Sequence, residues 1–427
     1  MCRNAARWER KGNSMRIKTL AGALALATLA MMTDAAAAQL KLVWYVDDDA
    51  QEKALRTLLD KYTAAHPETT FDLQITPYDG MLQKFQQYAA SGIMPDLSLT
   101  SSMEPVIRPF LADFNKEIGP DWIKDFVKGW ADGARLGDQV IAAPLDVTST
   151  GVFLNADAFK KAGVEIPAQD KGWTWDEFTK KIKDVSQKSG TRYPMVWDIS
   201  ASRFIVYPFQ YGNHIFSEQE PVKVVMNDAA WVKSVEGFVG LTKDVMPPGL
   251  WSGASSDNPK ELFLGGQAVA YMSGSWQIPT LATKAKFAWQ AGPTPGGTVR
   301  SSIYGGDYLV AFNTSPHLKE AVGFIKWITS PDVQADYGKT FGVIPANMKA
   351  AKVDYGNEAA SNAVKIMQGE LDASPAYAAT DQAWPEMQPV WAVIKPAITQ
   401  AVAGQISPAE AVAQIRKSAE EAIEAGR

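Results

Sequence analysis

The sequence predicts an α/β fold divided between two domains. Between residues 41 and 99, apolar strand patterns alternate with amphipathic helix patterns, in the order strand, helix, strand, helix, strand. This succession is typical of a mostly parallel sheet covered by helices. The chain has 427 residues, which is more than one ordinary core accommodates, and this length favours two domains.

The strand and helix patterns continue to the end of the chain. Gly92 ends the second helix, and Thr174 with Glu177 and Ser407 with Glu410 form capping boxes that start two later helices. The predicted strands cover residues 41–46, 71–76, 96–99, 140–143, 152–154, 268–272 and 308–312. The predicted helices cover residues 50–65, 78–91, 201–211, 228–245, 259–264 and 317–329, with another from 331 and a helical C-terminal part. No linker or internal repeat separates the parts, so we expect a chain that passes between the domains more than once.

Residues 15–38 (MRIKTLAGALALATLAMMTDAAAA) have the pattern of a secretory signal peptide. A basic start is followed by an apolar run and by three alanines that offer a cleavage site between Ala38 and Gln39. The apolar run is shorter than the roughly 20 apolar residues of a membrane-spanning helix. Because position 39 is not cysteine, the pattern argues against a lipid anchor, and we predict a soluble periplasmic protein. Residues 1–14 precede the better initiator Met15 and are interpreted as an N-terminal extension.

The composition after this cleavage excludes several functions. Residues 39–427 carry 36 basic and 45 acidic side chains, a net charge of −9, which makes nucleic acid a poor partner. Cys2 is the only cysteine and is removed with the leader, so no disulfide, thiol nucleophile or thiolate metal site is expected. The chain contains none of the motifs GxSxG, HExxH, GxxxxGK[ST] and GxGxxG, and its three histidines are isolated. We therefore predict no catalytic residue, no metal and no cofactor.

Polar side chains follow several predicted strands and form a candidate binding site. Asp47 and Asp48 follow the first strand, Thr100 and Ser101 follow the third, and Asp146 comes shortly after residues 140–143. Ligands of open α/β sheets bind beyond the carboxyl ends of the strands. Carboxylates and hydroxyls there suit a ligand rich in hydroxyl groups. For Asp47 and Asp48 an equally good interpretation is capping of the next helix, where negative charge is favoured.

Tryptophan is the second chemical signal, because the C–H faces of a sugar ring pack on aromatic rings. Trp251 follows a Pro-Pro-Gly loop, and Trp276 follows Gly-Ser at a predicted helix start. Trp384 and Trp391 lie near the start of a late helix, where core packing is an equal alternative. These four are the candidate stacking residues, whereas Trp44 and Trp327 are assigned to the core.

Several long segments resemble one family. They are GDQVIAAPLDVTSTGVFLNADAFKKAGVEIP (137–167) with WTWDEF (173–178), AASGIMPDL (89–97), LFLGGQAVAYMSGSWQIP (262–279), GGDYLVAFNTSPHLKEAVGFIKWITSPDVQADYG (305–338) and GVIPA (342–346). In this order they resemble the extracellular solute-binding proteins of ABC sugar importers, family 1, over nearly the whole chain after the leader.

The resemblance implies a type II periplasmic binding protein fold, in which two hinged α/β lobes are connected by three crossovers of the chain. The first lobe would comprise residues 39–146 and 306–350, and the second residues 147–305 and 351–427. The ligand would bind in the cleft between the lobes, with closure by a hinge motion and delivery to the membrane permease.

The resemblance also implies positions for the ligand. It places Asp47, Asp48, Thr100, Ser101, Asp146 and Trp276 at the cleft, and it adds Gly305, Gly306 and Asp307 at the second crossover and the late-helix residues Trp384 and Trp391. The segment 203–211 offers Arg203 or Tyr207. Thr100 stands where maltose-binding proteins have an aromatic residue, and the lysine near Asp49 is missing, so a maltodextrin is not expected.

These observations predict a monomeric binding protein, not an enzyme, whose ligand is a sugar, sugar alcohol or glycoside. One alternative keeps the fold and changes the ligand to a polyamine, for which Asp47, Asp48, Asp146 and Asp307 offer carboxylates, or to glycerol phosphate, for which no arginine cluster is seen. Another alternative is a secreted glycoside hydrolase that uses Asp47 and Asp146 as its two carboxyl groups.

Overall fold

Two β-sheets, each with its own apolar core, form the framework of the chain. The computed structural model describes residues 37–46, 48–219, 221–350 and 352–425. The strands are β1 (Ala38–Trp44), β2 (Thr69–Ile75), β3 (Leu97–Thr100), β4 (Arg135–Leu136), β5 (Gln139–Val140), β6 (Ala143–Pro144), β7 (Asp146–Asn155), β8 (Tyr193–Trp197), β9 (Ala268–Gly274), β10 (Trp289–Gly292), β11 (Tyr304–Gly305), β12 (Tyr308–Ala311) and β13 (Ile344–Pro345). The helices are α1 (Asp49–Ala65), α2 (Met81–Ser91), α3 (Phe114–Glu117), α4 (Lys128–Gly133), α5 (Ala156–Ala162), α6 (Trp175–Ser189), α7 (Ala201–Phe204), α8 (Val206–Phe209), α9 (Asp228–Asp244), α10 (Pro259–Leu264), α11 (Ile278–Lys284), α12 (Leu318–Ile328), α13 (Pro331–Phe341), α14 (Glu358–Asp372), α15 (Ala376–Ala383), α16 (Met387–Val402) and α17 (Pro408–Ala425).

The first sheet has the strand order β2-β1-β3-β12-β6. Strand β1 lies parallel to β2 and β3, as the alternating strand and helix patterns predict. Strand β12 enters from more than 200 residues further along the chain and lies antiparallel to β3 and β6. Apolar residues of β1, β3, β12, α1, α12 and α13 fill the core around this sheet, which we call the first core.

The second sheet has the order β10-β7-β9-β8. All ten residues of β7 are buried, and the strand lies antiparallel to both β9 and β10. The short strands β11 and β13 also pair with β7, near its start at Asp146. Apolar residues of α5, α6, α9, α14, α16 and α17 contribute to the core around this sheet, which we call the second core.

The expectation of a mostly parallel sheet holds for β1, β2 and β3 but not for the strands that come later in the chain. Parallel pairing is confined to β1 with β2 and β3, and to β8 with β9, whereas the other strand pairs of the described residues are antiparallel. The helical crossovers between residues 38 and 100 force parallel pairing there. Strands that reach a sheet from distant parts of the chain have no such constraint, and nothing local in their sequences gives their direction.

The predicted helix starts are confirmed in detail. Thr174 accepts a hydrogen bond from the Glu177 N–H at 3.2 Å, and the Glu177 carboxylate accepts one from the Thr174 N–H at 2.9 Å. Ser407 and Glu410 form the same reciprocal pair at the start of α17. The predicted helix 201–211 is divided into the two short helices α7 and α8, and a 3₁₀ turn at Tyr78–Gly80 precedes α2.

Most of the predicted signal peptide lies outside the described residues. Ala38, the residue before the predicted cleavage bond, is the first residue of β1 and pairs with Thr69. Within the described part of the chain, no helix is long and apolar enough to cross a membrane.

Candidate functional site

The segment between β1 and α1 contains the predicted acids Asp47 and Asp48. Asp47 lies outside the described residues. Asp48 is the N-cap of α1, and its Oδ1 accepts hydrogen bonds from the N–H groups of Ala50 and Gln51, both at 3.0 Å. Its Oδ2 accepts from Thr280 Oγ1 at 3.2 Å and from Lys284 Nζ at 2.9 Å, both on α11. Both oxygens of Asp48 therefore have protein partners.

These partners explain the electrostatics of Asp48. Burial raises the pKa of its carboxyl, but the hydrogen bonds from Lys284 and from the Gln51 N–H outweigh burial and hold the pKa below its ordinary value. The carboxylate is thus ionised at neutral pH. The helix-capping interpretation of Asp48 is confirmed, and the cap also bonds to a second helix.

The end of β3 presents hydroxyl groups. Thr100 is buried, and its Oγ1 accepts from the Ser102 N–H at 3.2 Å, so it closes a local turn. The Ser101 hydroxyl lies 3.1 Å from the Tyr78 hydroxyl, and the Tyr78 ring packs edge-on against Tyr45 at a centroid distance of 5.1 Å. Ser101 is therefore connected through two tyrosines to the end of β1.

Asp146 is the first residue of β7 and is completely buried. Neither carboxylate oxygen has a partner of regular hydrogen-bond geometry among the described residues. Burial and the neighbouring charge of Asp307 raise the pKa of the Asp146 carboxyl well above its ordinary value, and the Asp307 N–H and the Tyr337 hydroxyl oppose this shift without cancelling it. A raised pKa favours the protonated carboxyl, which offers a ligand one O–H donor and one carbonyl acceptor.

Asp307 joins Asp146 to the end of β1. The Tyr45 hydroxyl donates to Asp307 Oδ1, and the Asp307 carbonyl accepts from the Leu145 N–H at 2.9 Å. Burial, followed by the Asp307 charge, raises the pKa of the Tyr45 hydroxyl well above its ordinary value, so this tyrosine remains a donor at neutral pH. The contacts thus form a continuous polar row, which we define as Ser101, Tyr78, Tyr45, Asp307 and Asp146.

The two predicted glycines allow the chain to approach β7 closely. A Cβ on Gly305 would lie 2.4 Å from Thr148 Oγ1. Gly306 has φ +141°, and a Cβ there would lie 2.3 Å from the Asp146 carbonyl oxygen and 2.8 Å from Trp130. Both positions exclude larger residues because of protein contacts.

Trp276 lies between β9 and α11, half-buried, with the Arg203 guanidinium 4.0 Å from its ring centroid. Gly274 makes room for the ring, since a Cβ there would lie 2.0 Å from Trp276 Cη2. Next to Trp276 in the chain, the Ser275 hydroxyl accepts a hydrogen bond from the Ser149 N–H of β7 at 3.3 Å. Trp276 is therefore held near the strand that begins at Asp146.

A half-buried carboxyl, that of Asp198, lies close to Arg203. Asp198 accepts hydrogen bonds from the Tyr271 hydroxyl at 2.9 Å and from the Ser273 hydroxyl. Burial raises the pKa of the Asp198 carboxyl, and the nearby Arg203 charge and these two hydroxyls oppose the shift. Arg203 thus has a carboxyl on one side and an indole ring on the other.

The remaining predicted tryptophans lie in different surroundings. Trp251 is 1% exposed, within the second core, with its ring edge-on to Phe238 at 4.8 Å, so it presents no face to a ligand in this structure. Trp384 Nε1 donates to the Ser217 carbonyl at 2.9 Å, and Trp391 is half-buried on α16; both pack against the second core. These three tryptophans are therefore not members of the group formed by the polar row and Trp276.

Several residues of the site were not found from the sequence. Tyr45, Tyr78, Asp198, Thr280 and Lys284 take part through contacts between residues far apart in the chain. Tyr45 lies in the predicted first strand, two residues before Asp47. An aromatic residue this close to the predicted acids was the signal available in the sequence. Among the described residues, no group of three or more histidine and acidic side chains is placed to hold a metal ion.

Comparison with known proteins gives the class of this protein. A model of the bacterial extracellular solute-binding protein family matches residues 57–368, and the chain belongs to this family. The predicted family resemblance is confirmed, and so is the broader assignment to extracellular or periplasmic binding proteins of transporters.

Individual relatives are more distant. The lactose-binding protein of Rhizobium radiobacter is 25% identical over 329 residues, which cover 74% of this chain and 76% of that protein. The sn-glycerol-3-phosphate-binding periplasmic protein of Pectobacterium atrosepticum is 23% identical over 367 residues, 78% of this chain and 79% of that protein. These relatives are binding proteins and not enzymes.

The fold matches that of a solved sugar receptor. The GacH receptor of Streptomyces glaucescens, whose structures include a complex with acarbose, superposes with a TM-score of 0.75 at 20% identity, covering 90% of this chain and 99% of that one. The predicted two-lobe periplasmic binding protein fold is confirmed by this likeness.

Proposed function

We propose that this protein binds a sugar, sugar alcohol or glycoside between its two lobes and delivers it to the permease of an ABC importer. The observation that carries the proposal is the polar row together with Trp276. The row supplies carboxyl and hydroxyl groups beside β1, β3 and β7, and the half-buried Trp276 follows Ser275, which bonds to Ser149 of β7. A saccharide offers hydroxyl edges to such acceptors and a C–H face to such a ring.

Within this proposal the site consists of Ser101, Asp146, Asp307 and Trp276, together with Thr100 at the end of β3. Asp47, which follows β1 in the sequence, remains a candidate. Gly305 and Gly306 would shape the wall. Trp384 and Trp391 remain candidates from the late helix, since both are half-buried. Trp251 is not included, because its ring is enclosed by the second core.

The domain division proposed for this function follows the family pattern. The first lobe comprises residues 39–146 and 306–350, and the second residues 147–305 and 351–427, with three crossovers. The membership of the two cores supports the division, because α14 to α17 pack mainly in the second core and β12 to α13 in the first. We further propose a monomer in the periplasm, cleaved after Ala38, that docks on the transmembrane subunits of its permease and binds no nucleic acid.

A phosphate ester is the second candidate ligand, because one relative is named for sn-glycerol 3-phosphate. The charges near the site disfavour it. Lys284 is paired with Asp48, and Arg203 lies close to Asp198. An anion would therefore meet the carboxyls of Asp48, Asp198 and Asp146 beside these two cations, whereas a neutral polyol or a polyamine would not be repelled. The relatives give no support to a glycoside hydrolase.

The test is thermal unfolding of residues 39–427 in the presence of single ligands. The panel contains lactose, maltose, mannitol, other sugars and glycosides, spermidine and glycerol 3-phosphate. A ligand at 100 times its dissociation constant adds about 2.7 kcal/mol of stability, which raises the midpoint measurably. A shift with a saccharide or polyol supports the proposal. A shift only with spermidine or only with glycerol 3-phosphate rejects the sugar assignment in favour of that ligand.

A further inference from the structure

The Asp48 carboxylate connects two helices that belong to different cores. Helix α1, which Asp48 caps, packs in the first core through Leu55 and Leu59. Helix α11, which supplies Thr280 and Lys284, packs in the second core through its own apolar residues. The contact therefore crosses from one lobe of the fold to the other.

The geometry of this contact is that of a built bridge and not of a chance surface pair. The Asp48 side chain is only 12% exposed, and its Oδ2 accepts from both Thr280 and Lys284 while Oδ1 is used by the helix cap. Lys284 is 50% exposed, so its amino group reaches in from solvent. The hydrogen bond from Lys284 is the largest contribution that lowers the pKa of Asp48, and the bridge is charged at neutral pH.

A second contact holds the same helix from the same side. Gly342 ends α13 in the left-handed conformation, with φ +68°, and a Cβ there would lie 2.4 Å from Pro279 of α11. Helix α13 packs in the first core. The first lobe thus contacts the start of α11 through Gly342, and it contacts Thr280 and Lys284, one helical turn apart, through Asp48.

Helix α11 is continuous with the turn that carries the candidate stacking residue. Trp276 lies in the 3₁₀ turn Ser275–Gln277, and α11 starts at the next residue, Ile278. Whatever fixes α11 relative to the first lobe also fixes the distance between Trp276 and the polar row.

We propose that Asp48, Thr280 and Lys284 form an interlobe bridge that fixes α11 against the first lobe and positions Trp276. Asp48 is then a positioning residue, because its side chain contacts α11 and not the ligand. Asn at position 48 keeps an oxygen for the helix cap, but it removes the charge that Lys284 needs. The proposal rests on the proposed division into two lobes and does not depend on which solute is bound.

The experiment measures the distance between the lobes without ligand. Residues 39–427 contain no cysteine, so two spin labels can be placed on Gln83→Cys and Gln187→Cys, at exposed positions on α2 and α6. Pulsed dipolar spectroscopy then gives the distance distribution for the parent protein and for Asp48→Asn, Lys284→Met and Thr280→Val. We expect each variant to shift and broaden the distribution, and Asp48→Asn with Lys284→Met to change it no more than either alone.

The matched control is Lys61→Met, which breaks the Lys61–Asp336 pair. That pair also has a 2.9 Å separation, but both of its residues lie on helices of the first core. The control should leave the distribution unchanged. Circular dichroism and the unfolding midpoint verify that each variant is folded. A distribution in Lys284→Met equal to that of the parent overturns the proposal, as does full additivity of the two bridge substitutions. A protein that binds no sugar in the panel would still give either result.

Discussion

Two aspartates predicted for one role have opposite environments. Asp48 is surrounded by four donors, whereas Asp146 is buried beside another carboxyl without a regular partner. The sequence places both aspartates next to predicted strands. The local pattern gives no further information about their surroundings. Whether protein donors satisfy Asp48 or Asp146 depends on the positions of α11 and β12. Both elements lie more than 130 residues further along the chain than either aspartate.

The raised pKa of Asp146 gives a prediction for Asp146→Asn. A carboxyl whose folded-state pKa lies above its unfolded value favours folding while it is protonated, and this contribution is lost as the pH rises through the folded-state value. The isosteric amide does not ionise. We expect the variant to be more stable than the parent at neutral pH, on the order of 1 kcal/mol or more, because the parent must take up a proton or bury a charge on folding and the amide does neither. Denaturant unfolding from pH 3 to pH 8 measures the difference.

The difference should shrink as the pH falls towards the ordinary aspartate pKa of about 3.9, where both states are protonated. Gln83→Asn, at an exposed position of α2 that carries no titratable group, is the control and should show no such pH dependence. A variant less stable than the parent at neutral pH would contradict the assignment of Asp146 as an unsatisfied acid. Loss of saccharide binding in Asp146→Asn, without loss of stability, would support its place in the site.

Trp251 and Trp276 give a second residue-level prediction. Trp251→Ala removes a core side chain, so we expect a loss of about 3–5 kcal/mol in the free energy of unfolding. Trp276→Ala should cost less stability, because the ring is half-buried, and should weaken saccharide binding about tenfold, or about 1.4 kcal/mol. Chemical denaturation and calorimetric titration with the saccharide of largest thermal shift measure both quantities. Equal affinities of Trp276→Ala and the parent would remove Trp276 from the site.

Elements were predicted well where the signal is local. The two capping boxes, the Gly92 end of α2 and the alternation of strands and helices up to β3 are set by residues within one or two turns of each other. Trp251 and Trp276 both follow a glycine-containing turn, and no local feature distinguishes them. Only the packing of α9 against Trp251 and of Arg203 against Trp276 does so.

The capping box of α6 gives a prediction at the scale of one helix. Thr174→Ala removes the side chain that accepts from the Glu177 N–H, so the free energy of unfolding should fall by about 1 kcal/mol. Thr57→Ala is the control, since the Thr57 hydroxyl only donates to the Lys53 carbonyl inside α1. That variant should be neutral or slightly more stable, because alanine has the higher helix propensity. Urea unfolding measures the free energy of unfolding of both variants. Equal losses in Thr174→Ala and Thr57→Ala would contradict the role of Thr174 as the helix cap.

The junction of β9 and the Trp276 turn gives another prediction. Gly274→Ala adds a Cβ 2.0 Å from Trp276 Cη2, and the indole ring must move away. We expect weaker saccharide binding, similar to that of Trp276→Ala, although the tryptophan is still present. Gly129→Ala in α4 is the matched control, because a Cβ there meets no atom within 4 Å. Calorimetric titration compares them, and an unchanged affinity in Gly274→Ala would show that the ring position is not used.

At the scale of the whole molecule, the two-domain organisation was predictable because chain length and the missing linker do not depend on detailed packing. The sheet topology was only partly predictable. Strand β12 inserts antiparallel between β3 and β6, and this arrangement brings Asp307 beside Asp146 and Tyr45. The site is assembled by that insertion, so its membership follows from long-range pairing that a single sequence does not display.

Charge pairing across the molecule gives the last prediction, which concerns ionic strength. Lys284 and Arg203 each lie beside a carboxyl, and the proposed ligand is uncharged. Salt shortens the Debye length from about 10 Å at 0.1 M to about 3 Å at 1 M and weakens only charge–charge attraction. We therefore expect the saccharide dissociation constant to change by less than about twofold between 0.1 and 1 M NaCl. An anionic ligand held by cations would instead lose affinity steeply. Calorimetric titration at both salt concentrations distinguishes an uncharged from an anionic ligand, and glycerol 3-phosphate serves as the charged comparison. A strong salt dependence of sugar binding would contradict the prediction and would mean that an unpaired charge contacts the sugar.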